Sequence, residues 1–170
     1  MRHAILGTTL FFGLIGSAAA AVNCASLPNN TVNNFVNDDV VAIGITCTIG
    51  PSGSVNGSVT QTGDGGLVIR GVVNGSVSEA GPGDVVLDGG ARIAGDVSEA
   101  DGGNIAVRGG ASMDGAVEES GDGSVNVTVD VPGLVKGNIY ENGNGGVTVN
   151  ALAGSFEGAV SETGPGNVAV

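Results

Sequence analysis

A short pattern that returns six times constrains this chain more than any other feature of its sequence. Each copy reads apolar, any, Gly, any, Val or Ile, any, Glu or Gln, any, Gly, any, Gly, any, apolar, any, apolar, and Asp101 is the one departure from a glycine. The first glycines of successive copies lie 18 to 22 residues apart. Self-similarity at this period is typical of repeat architectures. The copies occupy residues 55–69, 73–87, 93–107, 113–127, 135–149 and 156–170.

Strict alternation of apolar and other residues predicts β-strands, because successive side chains of a strand point to opposite faces. Each copy is therefore expected to form a strand, a Gly-x-Gly turn and a second strand. Glycines within the alternating pattern, such as Gly75 and Gly95, are expected to allow a bend or a close approach of the backbone. We predict an all-β fold, a β-solenoid of six rungs of about 20 residues each. An antiparallel meander is the alternative, but identical residues at identical places favour parallel stacking of like on like.

The first 21 residues have the layout of a secretory signal peptide. Arg2 and His3 precede an apolar run over residues 4–16, and residues 17–21 are the small residues Ser-Ala-Ala-Ala-Ala. The run is too short for a membrane span of about 20 residues. We therefore predict cleavage near Ala20 or Ala21 and a secreted, extracellular or cell-surface location, without membrane insertion of the mature chain.

The sequence divides the mature chain into two parts, an N-terminal segment at 22–52 and the repeat domain at 53–170. The N-terminal segment holds Cys24 and Cys47, the only cysteines. In an oxidising compartment such a pair is expected to form a disulfide. This segment could cap the first rung of the solenoid.

Composition and charge exclude several classes of function. The chain carries 17 acidic residues against five Lys and Arg, for a net charge of −12, and removal of Arg2 with the signal shifts it to about −13. Nucleic acid and anionic membranes are poor partners for so acidic a surface. The only histidine, His3, lies in the predicted signal. The mature chain therefore has no histidine with which to form a Ser-His-Asp or Cys-His arrangement. We predict that the protein is not an enzyme and has no organic cofactor.

The Glu or Gln position of the repeat forms a ladder once the copies are stacked. One interpretation is a row of carboxylates that binds Ca²⁺ or another hard cation through oxygen. The interpretation we favour is structural: a solvated acidic stripe, or carboxylates that accept hydrogen bonds from the amides of the glycine turn. The candidate metal ligands are Glu79, Glu99, Glu119, Glu141 and Glu162, and Gln61 holds the same position in the first copy.

The repeat resembles that of the curlins, the subunits of bacterial curli fibres. Residues 160–170 follow the curlin layout, with Glu162 two residues after an apolar position and Gly164, Gly166 and Asn167 at the bend. Gln61 even retains the curlin glutamine, although Glu replaces it in the other five copies and the curlin ladders of Ser and of a second Gln are missing. The resemblance covers about two thirds of the chain. It implies a secreted, fibre-forming β-solenoid, with itself as partner and a secretion or nucleation partner besides.

The last copy ends on core-type residues with no polar stretch after them. An open rung exposes unpaired amides and is a template for another chain. We therefore expect head-to-tail assembly into amyloid-type fibres of a biofilm matrix or cell surface, with an interface formed by Phe156, Val160, Val168 and Val170. A monomeric surface or adhesin-type module that binds a partner along one flat face is the alternative.

Overall fold

The protein is a parallel β-solenoid in which three sheets wrap around a narrow core. A computed structural model describes residues 20–170, so the predicted signal peptide lies almost entirely outside the described residues. The chain visits the sheets in a fixed order, A, B and C, and each circuit is one rung. Within the described residues the stack makes about seven turns. The predicted all-β solenoid is confirmed.

The strands, numbered in chain order, are short. Sheet A consists of β1 (Val22–Asn23), β4 (Val40–Ile43), β7 (Val59–Thr62), β10 (Val77–Ala80), β13 (Val97–Glu99), β16 (Val117–Glu119), β19 (Ile139–Glu141) and β22 (Val160–Glu162). Sheet B consists of β2 (Thr31–Val32), β5 (Cys47–Ile49), β8 (Leu67–Ile69), β11 (Val85–Leu87), β14 (Ile105–Val107), β17 (Val125–Val129), β20 (Val147–Ala151) and β23 (Val168–Ala169). Sheet C consists of β3 (Phe35–Val36), β6 (Ser54–Val55), β9 (Val72–Val73), β12 (Arg92–Ile93), β15 (Ser112–Met113), β18 (Leu134–Val135) and β21 (Ser155–Phe156).

Each rung has three strands where the sequence predicted two. The alternating run that begins at Val73 is interrupted after β9, and Gly75 forms the corner that leads into β10. A Cβ at Gly75 would lie 2.6 Å from the carbonyl oxygen of Gly57 in the rung before it, so the corner needs a residue without a side chain. The bend expected at this glycine is confirmed, and it divides the predicted first strand between sheets C and A.

The stack also begins earlier than the six copies predicted. Residues 40–49 pair in parallel with the first recognised copy, for example Val40 with Val59 and Cys47 with Leu67. The segment at 22–52 therefore continues the three sheets rather than standing apart from them. Its distinctive parts are two 3₁₀ helices, Cys24–Ser26 and Pro28–Asn30, which replace the glycine turn at this end. No helix in residues 20–170 is long and apolar enough to cross a membrane.

Small aliphatic side chains fill the core because every strand contributes its inward-facing alternate residues. In the rung at 77–93 these are Val77 from sheet A, Val85 and Leu87 from sheet B and Ile93 from sheet C, all at most 2% exposed. Equivalent residues are in direct register from rung to rung, as Val85 with Ile105. The result is a column of like side chains under each position of the repeat.

The turns between sheets A and B stack so closely that a second glycine column is required. A Cβ at Gly103 would overlap the carbonyl oxygen of Gly83 in the preceding rung and would lie 3.1 Å from the Glu99 carboxylate. The adjacent Gly102 is exposed and has no atom within 4 Å of the corresponding point.

These two neighbouring glycines give a direct test of the stacking. We expect Gly103→Ala to lower the free energy of unfolding by about 1–3 kcal/mol, because the added methyl group forces the rungs apart. Gly102→Ala, in the same turn, should change it by less than about 0.5 kcal/mol. Denaturant unfolding followed by circular dichroism measures both, and equal effects of the two substitutions would contradict the close approach.

Candidate functional site: a buried glutamate ladder

The five ladder glutamates face the interior of the solenoid. Each lies two residues after an inward-facing Val or Ile of sheet A, as Glu79 after Val77, and so points to the same side of the strand. Glu79 is 1% exposed, and Glu99, Glu119 and Glu141 are fully buried. Glu162, on the last described rung, is partly buried. The predicted solvated stripe is therefore wrong.

The parallel register places these carboxylates in single file. Glu79 pairs with Glu99, Glu99 with Glu119, Glu119 with Glu141 and Glu141 with Glu162. Neighbouring strands of a sheet are about 4.8 Å apart, so each carboxyl group has another directly above or below it. This column is called the glutamate ladder below.

In four of the five carboxylates, those of Glu99, Glu119, Glu141 and Glu162, one oxygen is held by the glycine turn, as the other structural interpretation predicted. The Oε1 atom of Glu99 accepts a hydrogen bond from the amide of Gly103 at 3.1 Å, and Glu119 accepts one from Gly123 at the same distance. Glu141 Oε1 accepts two, from the amides of Gly143 and Gly145 at 2.8 and 3.3 Å. The buried turn amides thus obtain acceptors, and the carboxyl groups are fixed in orientation.

The remaining oxygens are buried without a partner. Oε2 of Glu99, Glu119 and Glu141, and both oxygens of Glu79, have no hydrogen bond. Burial raises the pKa of Glu79 to about 8, and a hydrogen bond to Glu99 in the protonated form raises it as well. Burial in the same way raises the pKa of Glu119 to about 7, together with a hydrogen bond to Glu141. Interior carboxyl groups with no compensating cation favour the neutral form.

Towards the N-terminus, uncharged side chains take the place of the carboxyl groups in the same column. Gln61 occupies the next rung, is fully buried, and donates from Nε2 to the Gly63 carbonyl oxygen at 3.0 Å. Ala42 lies below it in register. Cys24 follows directly on β1, which pairs with the strand of Ala42. The column is therefore uncharged over its first rungs and carboxylic from Glu79 onward.

Cys24 and Cys47 form the predicted disulfide. Both are fully buried, and their Cα atoms are 6.0 Å apart. Cys24 precedes Ala42 on the sheet A side, whereas Cys47 belongs to sheet B, so the bond crosses the core between two sheets. It links the first rung, in which Cys24 follows β1, to β5 of the second rung.

A cation site finds no support in this geometry. Ca²⁺ takes six to eight oxygen ligands, whereas the ladder offers single carboxylates in file, and those of Glu99, Glu119 and Glu141 already accept a turn amide through one oxygen. Among residues 20–170, no group of three or more His, Cys, Asp or Glu side chains is arranged to hold a metal ion.

The predicted interface residues lie together on the last described rungs. Val168 and Val170 are 48% and 83% exposed, whereas Phe156 and Val160 are partly buried against the core. Val160 and Val168 belong to β22 and β23, which end their sheets. The outermost described strands of the three sheets and the exposed apolar side chains of Val168 and Val170 therefore lie at the same end of the described stack.

A surface hollow lies elsewhere, over sheet C. It has a volume of about 390 Å³ and is lined by Arg92, Met113, Asp114 and Lys136, among others. Lys136 Nζ donates to Asp114 Oδ1 at 2.6 Å, so this carboxylate is already paired. The hollow does not include the glutamate ladder.

Comparison with protein-family models, with curated proteins and with solved structures finds no match for this chain. The function therefore has to be argued from the geometry of the chain itself.

We expect removal of the disulfide to loosen the N-terminal end selectively. Closing a loop over a sequence separation of 23 residues stabilises the fold by about 3 kcal/mol in the chain-entropy model. The double variant Cys24→Ala, Cys47→Ala should lose about that much in denaturant unfolding. Because each rung contacts only its neighbours, amide hydrogen exchange should accelerate in β1 to β6 more than in β16 to β21. Uniform acceleration along the stack would contradict a local role, and the reductant that destabilises the native protein should leave the variant unchanged.

Proposed function

We propose that this protein is a secreted structural subunit that assembles head to tail into extracellular, curli-like fibres of a biofilm matrix or cell surface. The observation that carries the proposal is the state of the last described rung. There β21, β22 and β23 end sheets C, A and B, and exposed Val168 and Val170 lie beside them. Unpaired strand edges with apolar side chains are ready-made templates for pairing with another chain.

The opposite end of the stack supplies a matching surface. There β1, β2 and β3 end the same three sheets, so a second copy can continue every sheet in the parallel direction. An apolar hollow of about 160 Å³, lined by residues that include Leu27, Pro28, Val32 and Val36, lies at this end. Contact between two different surfaces of identical subunits generates an open fibre when the rotation does not close a ring.

Three further features support secretion and a structural role. The first 21 residues have the layout of a signal peptide. The Cys24–Cys47 disulfide is of the kind that persists in oxidising compartments. The resemblance of the repeat to curlins also implies a secretion or nucleation partner.

A monomeric adhesin-type surface module is the second candidate. The hollow over sheet C favours it, because Arg92 and Lys136 are two of the four cations that follow the predicted signal peptide. An acidic ligand on a cell surface or in a matrix would be the partner. This candidate needs no contact between copies.

The two candidates are separated by charge placed on the last rung. We expect Val168→Asp, and separately Val170→Lys, to abolish fibres because each puts a charge on the edge that would be covered. Both variants should keep the circular dichroism spectrum of the folded chain. Val131→Asp is the matched control, since Val131 is 66% exposed on the loop between β17 and β18, which is not part of the last described rung. It should assemble like the native protein.

Negative-stain electron microscopy and sedimentation of the mature protein at micromolar concentration provide the readout. Unbranched fibres from the native and Val131→Asp proteins, with monomers from the other two, support the proposal. Fibres from all four proteins would show that the last rung is not the contact. Monodisperse native particles under all conditions would leave the adhesin-type module as the better account.

A further inference from the structure

The glutamate ladder presents an electrostatic problem that the remainder of the fold does not solve. Four of its carboxyl groups are at most 1% exposed and stand one strand spacing apart. Ionised carboxylates at this distance and depth repel one another, and each would lose its hydration. A fold that stacks them so regularly needs something that removes charge from the column.

No cation of the described residues performs that task. Arg70, Arg92, Arg108 and Lys136 are all exposed, and the last two lie beside the surface carboxylates of Asp88 and Asp114. The inward residues of sheets B and C that face the ladder are apolar. The groups near the column are uncharged Gln61 and the carboxyl of Asp101, whose charge also disfavours ionisation of Glu79.

The Oε2 atoms of the ladder lack hydrogen-bond donors. Each Oε1 of Glu99, Glu119 and Glu141 has a turn amide as donor, whereas each Oε2 has none. Two stacked carboxylates offer only acceptors to each other, because an ionised carboxylate has no hydrogen to donate. A single proton placed between two such groups converts one of them into a donor and satisfies both oxygens.

We propose that the glutamate ladder is a proton-binding site, in which one proton is shared between Glu79 and Glu99 and a second between Glu119 and Glu141. Each proton is taken from solvent when the rungs stack, forms an O–H bond on one carboxyl group and is accepted by the carboxylate of its partner. Each pair then carries one negative charge in place of two. Glu162, partly exposed on the last described rung, completes the file without being needed for either pair.

The titration of the ladder agrees with this pairing. The groups whose pKa is raised, Glu79 to about 8 and Glu119 to about 7, are one member of each pair. Burial is the larger cause in both cases, and the hydrogen bond to the partner follows it.

The sign of the pH dependence follows from linkage. The folded pKa values lie above the ordinary glutamate value of 4.5, so the folded state binds more protons than the unfolded state. The stabilisation is fully present below about pH 4.5 and is lost as the pH rises through 7 and 8. With two extra protons bound, the folding equilibrium constant should fall up to about 100-fold per pH unit between pH 5 and 7.

Proton binding by the ladder does not depend on fibre formation, because the ladder lies in the interior of a single copy. It is tested on monomer isolated by gel filtration from the native protein, with its disulfide intact. Refolding from denaturant at pH 6 in weakly buffered solution with an indicator dye should take up about two protons per chain. Uptake of no protons would overturn the proposal whether or not the protein polymerises.

Substitutions then assign the protons to the ladder. Glu79→Gln combined with Glu119→Gln replaces one carboxyl of each pair with a neutral group of the same shape, and Gln61 shows that this column accommodates glutamine. We expect proton uptake to disappear and the folding equilibrium constant to become nearly independent of pH between 5 and 8, relative to the native protein. The single variant Glu119→Gln should retain uptake of about one proton.

Glu118→Gln is the matched control, because Glu118 is the exposed neighbour of Glu119 on the same strand. It should keep the uptake and the pH dependence of the native protein. Equal behaviour of the control and the double variant would place the protons elsewhere. Stabilisation of the native protein at pH 8 by millimolar Ca²⁺, lost in the double variant, would instead show that a metal ion neutralises the ladder and would overturn the proposal.

Discussion

Parallel stacking in register is the constraint on which the other features of this molecule depend. Every backbone ladder joins one rung to the next, so each residue has its own equivalent about 4.8 Å above and below it. A position that tolerates self-stacking, such as Val85 over Ile105, becomes a core column. Where a side chain would clash with its equivalent in the next rung, the position is a glycine, as at Gly83 and Gly103. Where the stacked groups are carboxylates that repel one another, their charge has to be neutralised. The glutamate ladder belongs to the last kind.

Much of the fold could be predicted because the period of the sequence and the period of the structure coincide. The alternation around Val77 and Val85 indicated strands, and the repetition of like residues favoured a parallel stack over a meander. The three-sided cross-section could not be predicted in the same way. Alternation continues across the corner at Gly75 without a change of phase, so nothing in the pattern separates a bend from a glycine inside a strand. The additional copy at 40–49 was missed because Ala42 replaces the Glu and the turn there is one residue shorter.

The inward orientation of the ladder could be predicted from the sequence, but its hydrogen bonding could not. Glu79 has the same parity as Val77, which is enough to place it on the inner face. The usual preference of carboxylates for water argued the other way. The three-dimensional structure resolves the conflict: the turns that follow Glu99, Glu119 and Glu141 direct glycine amides, such as that of Gly103, at their Oε1 atoms. Spacing along the chain does not show such a donor.

The loops between sheets B and C have a consequence for the adaptability of the molecule. Rungs differ in length, and the rung that contains β17 and β18 takes up its extra residues by lengthening β17 and by a loop at 130–133. The core positions on either side, Val127 and Val135, keep their register with the neighbouring rungs. Sequence can therefore be added at this corner without displacing any column of the stack. A foreign peptide or a small domain grafted there would be displayed laterally, at a fixed height along the solenoid.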